Sequence, residues 1–285
     1  MNNTIFTKYH ALGNDYIVIN PADISSDYLE TDQIKRICHR NFGIGSDGIL
    51  LGPLNSTDCD FGLRIYNPDG SEAEKSGNGL RMFARYLWDK GLVDNTPFTV
   101  ETLGGTVSCE IRANGKNVKV EMGKVSFNST DIPVIGPSRE MLNEEIEISG
   151  RLLKFCAATV GNPHCVVLTE SPTPEMACHL GPLLETNTHF PNRTNVQFMK
   201  IIDRHNIQIE IWERGAGYTL ASGSSSTAAA AVALKLDLCD SDVTVHMPGG
   251  EIELQFDNGF SAVMTGPVTK VFDGIINNEM FEWAF

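Results

Sequence analysis

Two distant stretches of this chain share one device, and any fold must accommodate both. An apolar run, Phe61 to Tyr66, leads into the turn Asn67-Pro68-Asp69-Gly70 and on to Ser76-Gly77-Asn78-Gly79. Leu80, Phe83, Ala84 and Leu87 then recur on one helical face. A second apolar run ends at Ile211-Trp212, delivers Glu213-Arg214 and proceeds to Ser222-Gly223-Ser224. The Ala-rich segment Ala228 to Leu238, of high helix propensity, follows it. Asn67 lies nine positions before Ser76, and Glu213 lies nine before Ser222. A Ser-Gly turn at a helix start has a physical use. Glycine lets a ligand approach the backbone closely. The free N–H groups of the first turn and the helix dipole attract an anion such as a carboxylate. Two copies predict two similar halves facing one small ligand.

The rest of the chain fits that division. A length of 285 residues suffices for two domains with a sizeable core. Strand patterns cover 5–19 around the turn at Asn14, then 58–66, 98–102 and 118–122, with a surface helix over 27–39 and a central helix over 77–90. In the second half, 144–149, 152–160, 194–199, 206–212, 243–247, 251–256 and 260–265 read as strands, with a short helix over 175–180. The expected boundary is 1–124 plus 272–285 for the first half, with 125–271 for the second. The expected class is α+β: two pseudo-symmetric α/β domains, each a curved, mostly antiparallel sheet around a central helix.

Composition excludes several functions. A formal net charge of -14 argues against nucleic acid or an anionic membrane as partner. Met1 to Phe6 lacks the basic-then-apolar pattern of a signal peptide, and no apolar run approaches a membrane span, so a cytoplasmic protein is expected. The seven cysteines are scattered, without a Cys-x-x-Cys, and read as reduced thiols. No metal-ligand spacing, phosphate loop or dinucleotide fingerprint is present, and no lysine stands out as a pyridoxal anchor. The expectation is a small-molecule amino-acid ligand, no metal and no cofactor.

Further motifs specify the kin. Lys8-Tyr9-His10-Ala11-Leu12-Gly13-Asn14-Asp15-Tyr16, Gly43-Ile44-Gly45-Ser46-Asp47-Gly48, Gly161-Asn162-Pro163-His164 and Asn192-Arg193-Thr194-Asn195-Val196 join the two Ser-Gly stretches. In this order, along the whole chain, they resemble the signatures of the diaminopimelate epimerase family, cofactor-independent enzymes that invert an amino-acid α-carbon. The resemblance implies a two-base mechanism and a homodimer. It implies that Asn14, Asn67, Asn162, Asn195, Glu213 and Arg214 hold the substrate, with the helix starts Gly77-Asn78 and Gly223-Ser224 at its carboxylate. It also implies that His164 and Glu213 tune the acid/base pair. The family's acid and base are cysteines where this chain has Ser76 and Ser222.

That departure bears on the chemistry. A thiol near pKa 8.5 is readily activated at a helix start, whereas a hydroxyl is a far weaker acid and needs a neighbouring base. Three accounts stand: two native thiols replaced; a natural divergent branch, which Lys75, Met82, Tyr218 and the Ser224-Ser225-Ser226-Thr227 run favour; or another role. The last covers an amino-acid binder without turnover, another racemase, and an isomerase based on Glu213 or His164.

Overall fold

The structure is a computed structural model that describes residues 4–24 and 28–282. Met1 to Asn3, Asp27 at the expected start of the first helix, and residues 283–285 of the expected returning segment lie outside them. The chain divides into two compact units: Met1–Val120 with Gly266–Phe285, and Glu121–Thr265.

In the first unit the strands are β1 (Thr4–Ala11), β2 (Asn14–Ile19), β3 (Ile49–Leu54), β4 (Phe61–Tyr66), β5 (Glu72–Ala73), β6 (Phe98–Thr102), β7 (Gly105–Arg112), β8 (Asn117–Lys124) and the returning β18 (Thr269–Ile276). They pair in the order β18-β1-β2-β3-β4-β6-β7-β8, with β5 against β4. In the second unit they are β9 (Glu144–Ile148), β10 (Arg151–Thr159), β11 (Pro163–Leu168), β12 (Asn195–Asp203), β13 (Asn206–Glu213), β14 (Gly217–Thr219), β15 (Asp242–Met247), β16 (Gly250–Phe256) and β17 (Ser261–Pro267). Their order is β9-β10-β11-β12-β13-β15-β16-β17, with β14 against β13.

The two orders are the same, and so are the strand directions. Only β2/β3 and β4/β6 run parallel in one unit, and β11/β12 and β13/β15 in the other. A parallel pair needs a crossover. Helices supply all four: α1 (Thr31–Cys38), α2 (Gly77–Asp89), α3 (Pro174–Glu185) and α4 (Gly223–Lys235). The repeat inferred from two nine-residue spacings extends over the whole strand order, and only the connection of the edge strand differs, since β9 precedes β10 while β18 returns from the far end of the chain.

The central strands of each sheet are buried on both faces. In the first unit Ile17, Ile19, Ile49 and Leu51 pack with Ile34 and Ile37 of α1. Leu50 has the opposite parity and lies against Gly79 of α2. In the second, Cys165, Val167, Val196 and Phe198 pack with Ala177, Leu180 and Leu184 of α3. Two covered faces explain continuous apolar runs such as Ile49-Leu50-Leu51. The central α4 packs against β10 to β13, β15 and β16, so the sheet wraps around it. Ala228 to Ala233 have no exposed surface, and an all-apolar helix suits that position.

Several boundaries differ from expectation. The first helix begins at Thr31. α3 spans 12 residues because Thr173 caps the N–H of Met176 and Pro174 occupies the first turn. α4 begins at Gly223, five residues before the Ala run, because Ser222 caps it. The buried hydroxyls of Ser226 and Thr227 bond back to the carbonyls of Ser222 and Gly223, both at 2.8 Å. The return to the first unit starts at Gly266 rather than 272, because β18 pairs along β1 from His10 to Thr4. The earlier boundary falls after Val120, the last residue through which β8 pairs with β7.

No described helix is long and apolar enough to cross a membrane. Gly181 on α3 marks a close approach: a Cβ there would lie 2.5 Å from Trp212 Cγ. Gly181→Ala is expected to cost about 1–3 kcal/mol from overpacking, read as a lower urea midpoint; an unchanged midpoint would contradict this packing.

Candidate functional site

In each unit the polar groups gather at the N-terminus of the central helix. Ser76 caps α2 from an extended conformation, φ -140° and ψ 115°, and its Oγ accepts the Gly79 N–H at 3.0 Å. Gly79 is tightly enclosed, since a Cβ would come within 3.2 Å of the Ser76 Oγ. Gly77 and Asn78 follow, both buried. Asn78 Nδ2 donates to Asn14 Oδ1 at 3.0 Å, and Asn14 Nδ2 donates to Asp47 Oδ2 at 2.9 Å. Asp47 and Asp15 share Arg40, and Lys8 pairs with Asp15 at 2.6 Å. Burial pushes the Asp15 carboxyl up, but its bonds to Arg40 and Lys8 outweigh this and hold it below the usual range. Asn67 sits in the turn before β5, where its Nδ2 donates to Ser71 Oγ at 3.0 Å. Pairing of β5 with β4 then carries the chain to the helix start.

The second unit repeats this plan with different groups. Ser222 caps α4 at φ -146° and ψ 125°, and its Oγ accepts the Ser225 N–H at 3.4 Å. Gly223 and Ser224 take the places of Gly77 and Asn78. Asn162, just before β11 as Asn14 opens β2, donates to Ser224 Oγ at 3.5 Å. His164 Nε2 lies 3.0 Å from Asn162 Oδ1, and the ring is fully buried. Asn195 donates to the Pro163 carbonyl at 2.9 Å and accepts the Arg214 N–H at 3.0 Å. The Arg214 guanidinium donates to the Asn192 carbonyl at 3.0 Å. Glu213 ends β13 and is half-buried.

Strand parity explains which residues reach α4. Cys165 and Val167 face α3, so His164 and Val166 face the other way; on β12 the same holds for Asn195 and Gln197. Gln197 Nε2 accordingly donates to Ser225 Oγ at 3.0 Å. Burial lowers the His164 imidazole to about 3, a nearby Gln197 side chain opposes this, and the Arg214 charge adds to the lowering. His164 is therefore neutral at physiological pH and is no titrating acid or base in the free protein. His164 Nδ1 and Gln197 Oε1 are buried without a well-formed hydrogen bond. Rotating the Gln197 amide by half a turn would satisfy both, with Nε2 on the ring and Oε1 on the Ser225 hydroxyl. Cys165 is fully buried, burial pushes its thiol up, and it packs on the α3 side.

The sequence analysis gave no individual role to Arg40, Asp47, Glu185 or Gln197 of these networks, nor to Arg81, whose guanidinium donates to Asn78 Oδ1. Glu185 on α3 is buried and ties down the segment after β13. Its Oε1 accepts the Gly215 N–H at 2.8 Å and pairs with Arg193, and its Oε2 accepts the Trp212 indole N–H at 2.7 Å. Among the described residues no group of three or more His, Cys, Asp or Glu is placed to hold a metal ion.

Comparison with known proteins agrees with this picture. A sequence model of the family described as diaminopimelate epimerase matches residues 6–128 and 156–271. Diaminopimelate epimerase 2 of a Nostoc species is 63% identical over 276 residues, 97% of this chain and 96% of the relative. The diaminopimelate epimerase of Moorella thermoacetica is 37% identical, covering 94% of this chain and 98% of the relative. A probable proline racemase from Agrobacterium radiobacter superposes with a TM-score of 0.70 at 16% identity, over 98% of this chain and 94% of that one. A phenazine biosynthesis protein of Bacillus anthracis does so with 0.66 at 16% identity, over 97% and 100%. At such identities the structural likeness concerns the fold.

Two outcomes test these placements. The folded value of His164 lies below its unfolded one, so the unfolded chain takes the proton first as pH falls. The resulting stability is present above about pH 6.5 and is lost toward the folded value. His164→Gln should flatten this part of the dependence of Tm on pH, and a native-state NMR signal assigned to the His164 imidazole that titrates near the ordinary value would contradict the burial. Glu185→Ala leaves the indole N–H, the Gly215 N–H and Arg193 without their carboxylate, and is expected to lower stability by about 3 kcal/mol in urea unfolding.

Proposed function

Because this chain belongs to the diaminopimelate epimerase family and is an isomerase of the epimerase class, we propose that it inverts the α-carbon of diaminopimelate with Ser76 and Ser222 in the two acid/base positions. One observation carries the assignment. Both serines are N-caps of equivalent helices in a duplicated fold, with nearly the same backbone angles. Inversion requires a base on one face of Cα and an acid on the other. A proton leaves Cα for one serine oxygen while another is delivered from the opposite side, so the product is the epimer and no electrons are exchanged. First-turn N–H groups at Gly77-Asn78 and Gly223-Ser224 are fixed donors for the substrate carboxylate and the charge that develops beside it. Asn14, Asn67, Asn162, Asn195, Glu213 and Arg214 hold the remainder. An arginine beside the site provides a planar partner for the second carboxylate of the substrate. His164 acts by orienting Asn162, and through it Ser224.

The serine oxygens limit the rate. Each already accepts a helix N–H, which favours the anion, but a hydroxyl starts far above a thiol in pKa. The capping contact also supports a second reading, in which the protein binds the amino acid without turnover.

The test is α-proton exchange in deuterated water. Exchange is expected with meso- or L,L-diaminopimelate, faster than with lysine or proline, and Ser76→Cys with Ser222→Cys should accelerate it by about 100-fold or more. Binding without exchange, even with both thiols in place, would establish the binder. Loss of activity on Glu213→Gln but not on Ser76→Ala would point to a glutamate-based isomerase.

A further inference from the structure

Arg81 is fully buried on α2, yet no carboxylate pairs with it among the described residues. Its guanidinium donates to two neutral oxygens, Asn78 Oδ1 and the Pro267 carbonyl, the latter at 3.2 Å, and its Nε has no hydrogen-bond partner. Burial pulls the group down to about 9, which leaves it charged at neutral pH. A buried charge is costly unless something compensates it.

Partial compensation runs through two amides. Asn78 presents its oxygen to Arg81, so its Nδ2 points away and donates to Asn14 Oδ1 at 3.0 Å. Asn14 therefore presents its own Nδ2 to Asp47 Oδ2 at 2.9 Å. Every donor along Arg81, Asn78, Asn14 and Asp47 points from cation to anion. Turning either amide over would set an N–H against the guanidinium or an oxygen against the carboxylate. The end charges thus decide both orientations, and polarised chains of this kind strengthen each member. The equivalent position on α4 is Thr227, whose hydroxyl bonds back to Gly223. A buried charge is a property of the α2 tip and has no counterpart there.

The geometry points to Arg81 as a positioning residue that fixes the donor orientation of Asn78 and Asn14 and makes the α2 tip the more electropositive seat for a substrate carboxylate. This rests on the functional reading above for the identity of the ligand, but not for the orientation of the amides.

The experiment uses the full chain, with Arg81→Met and Asp47→Asn as variants at the two ends of the relay. Two readouts are taken: the side-chain amide ¹H–¹⁵N resonances of Asn14 and Asn78 in the free protein, and meso-diaminopimelate affinity by calorimetry. Both variants should shift both amide resonances, and Arg81→Met should weaken binding about tenfold or more, the scale of one charge-assisted hydrogen bond. A merely structural Arg81 would alter stability while leaving the Asn14 resonance in place. Folded Arg81→Met with unchanged resonances and affinity would overturn the inference. Should Arg81→Met fail to fold, Asp47→Asn decides it from the half-exposed end: a shifted Asn78 resonance supports the relay, an unshifted one refutes it. Wild-type protein that does not bind diaminopimelate would remove the functional reading, and the resonances would still judge the relay.

Discussion

A helix packed inside a wrapped sheet begins with backbone N–H groups that have no partner within the helix, and the arrangement of the site follows from satisfying them. The first four such groups of a helix lack intrahelical partners. In α2 and α4 one of them is met by the oxygen of a capping serine. Others remain oriented along the helix axis, at its positive end. Burial strengthens their pull on an anion, because little solvent competes. The same demand accounts for the glycines after each serine and for the amide side chains crowded against the tip.

The two units meet this demand by different electrostatic routes on one topology. Around α2 the supporting groups are charged: Arg81 beneath Asn78 at one end, and Asp47 with Arg40, Asp15 and Lys8 at the other. Around α4 the groups bonded to the tip are neutral, a buried uncharged imidazole, two amides and the hydroxyls of Ser224 and Ser225, with the Arg214 charge further out. The two helix starts are topologically equivalent but chemically unequal.

Much of this was legible in the sequence, for identifiable reasons. The doubled spacing from strand end to Ser-Gly revealed the repeat, because a cap residue and glycines are required at a helix start whatever surrounds it. Asn162 stands at a strand edge, directly before Pro163 opens β11, in keeping with the extended backbone that proline favours in its predecessor. Other features had weaker signals. Arg81 falls on a helical pattern where an arginine normally faces water, and only its place three residues after Asn78 hints otherwise. Gln197 could have been found by strand parity, since it shares a face with Asn195. Glu185 lay beyond Pro182, where a helix was expected to have ended. Its buried carboxylate holds groups 27 and 30 positions further along the chain, which local sequence does not reveal.

What the sequence determined by itself was local and repetitive: strand periods, capped helix starts, turn chemistry, and the family to which these belong in that order. The partners of each polar group were decided by tertiary structure alone. A guanidinium, an imidazole and a carboxylate look like ordinary surface groups in a string of letters. Packing of the sheet around the helix removed them from water, and only then did Arg81 need Asn78, His164 lose its proton, and Glu185 become the anchor of a distant loop.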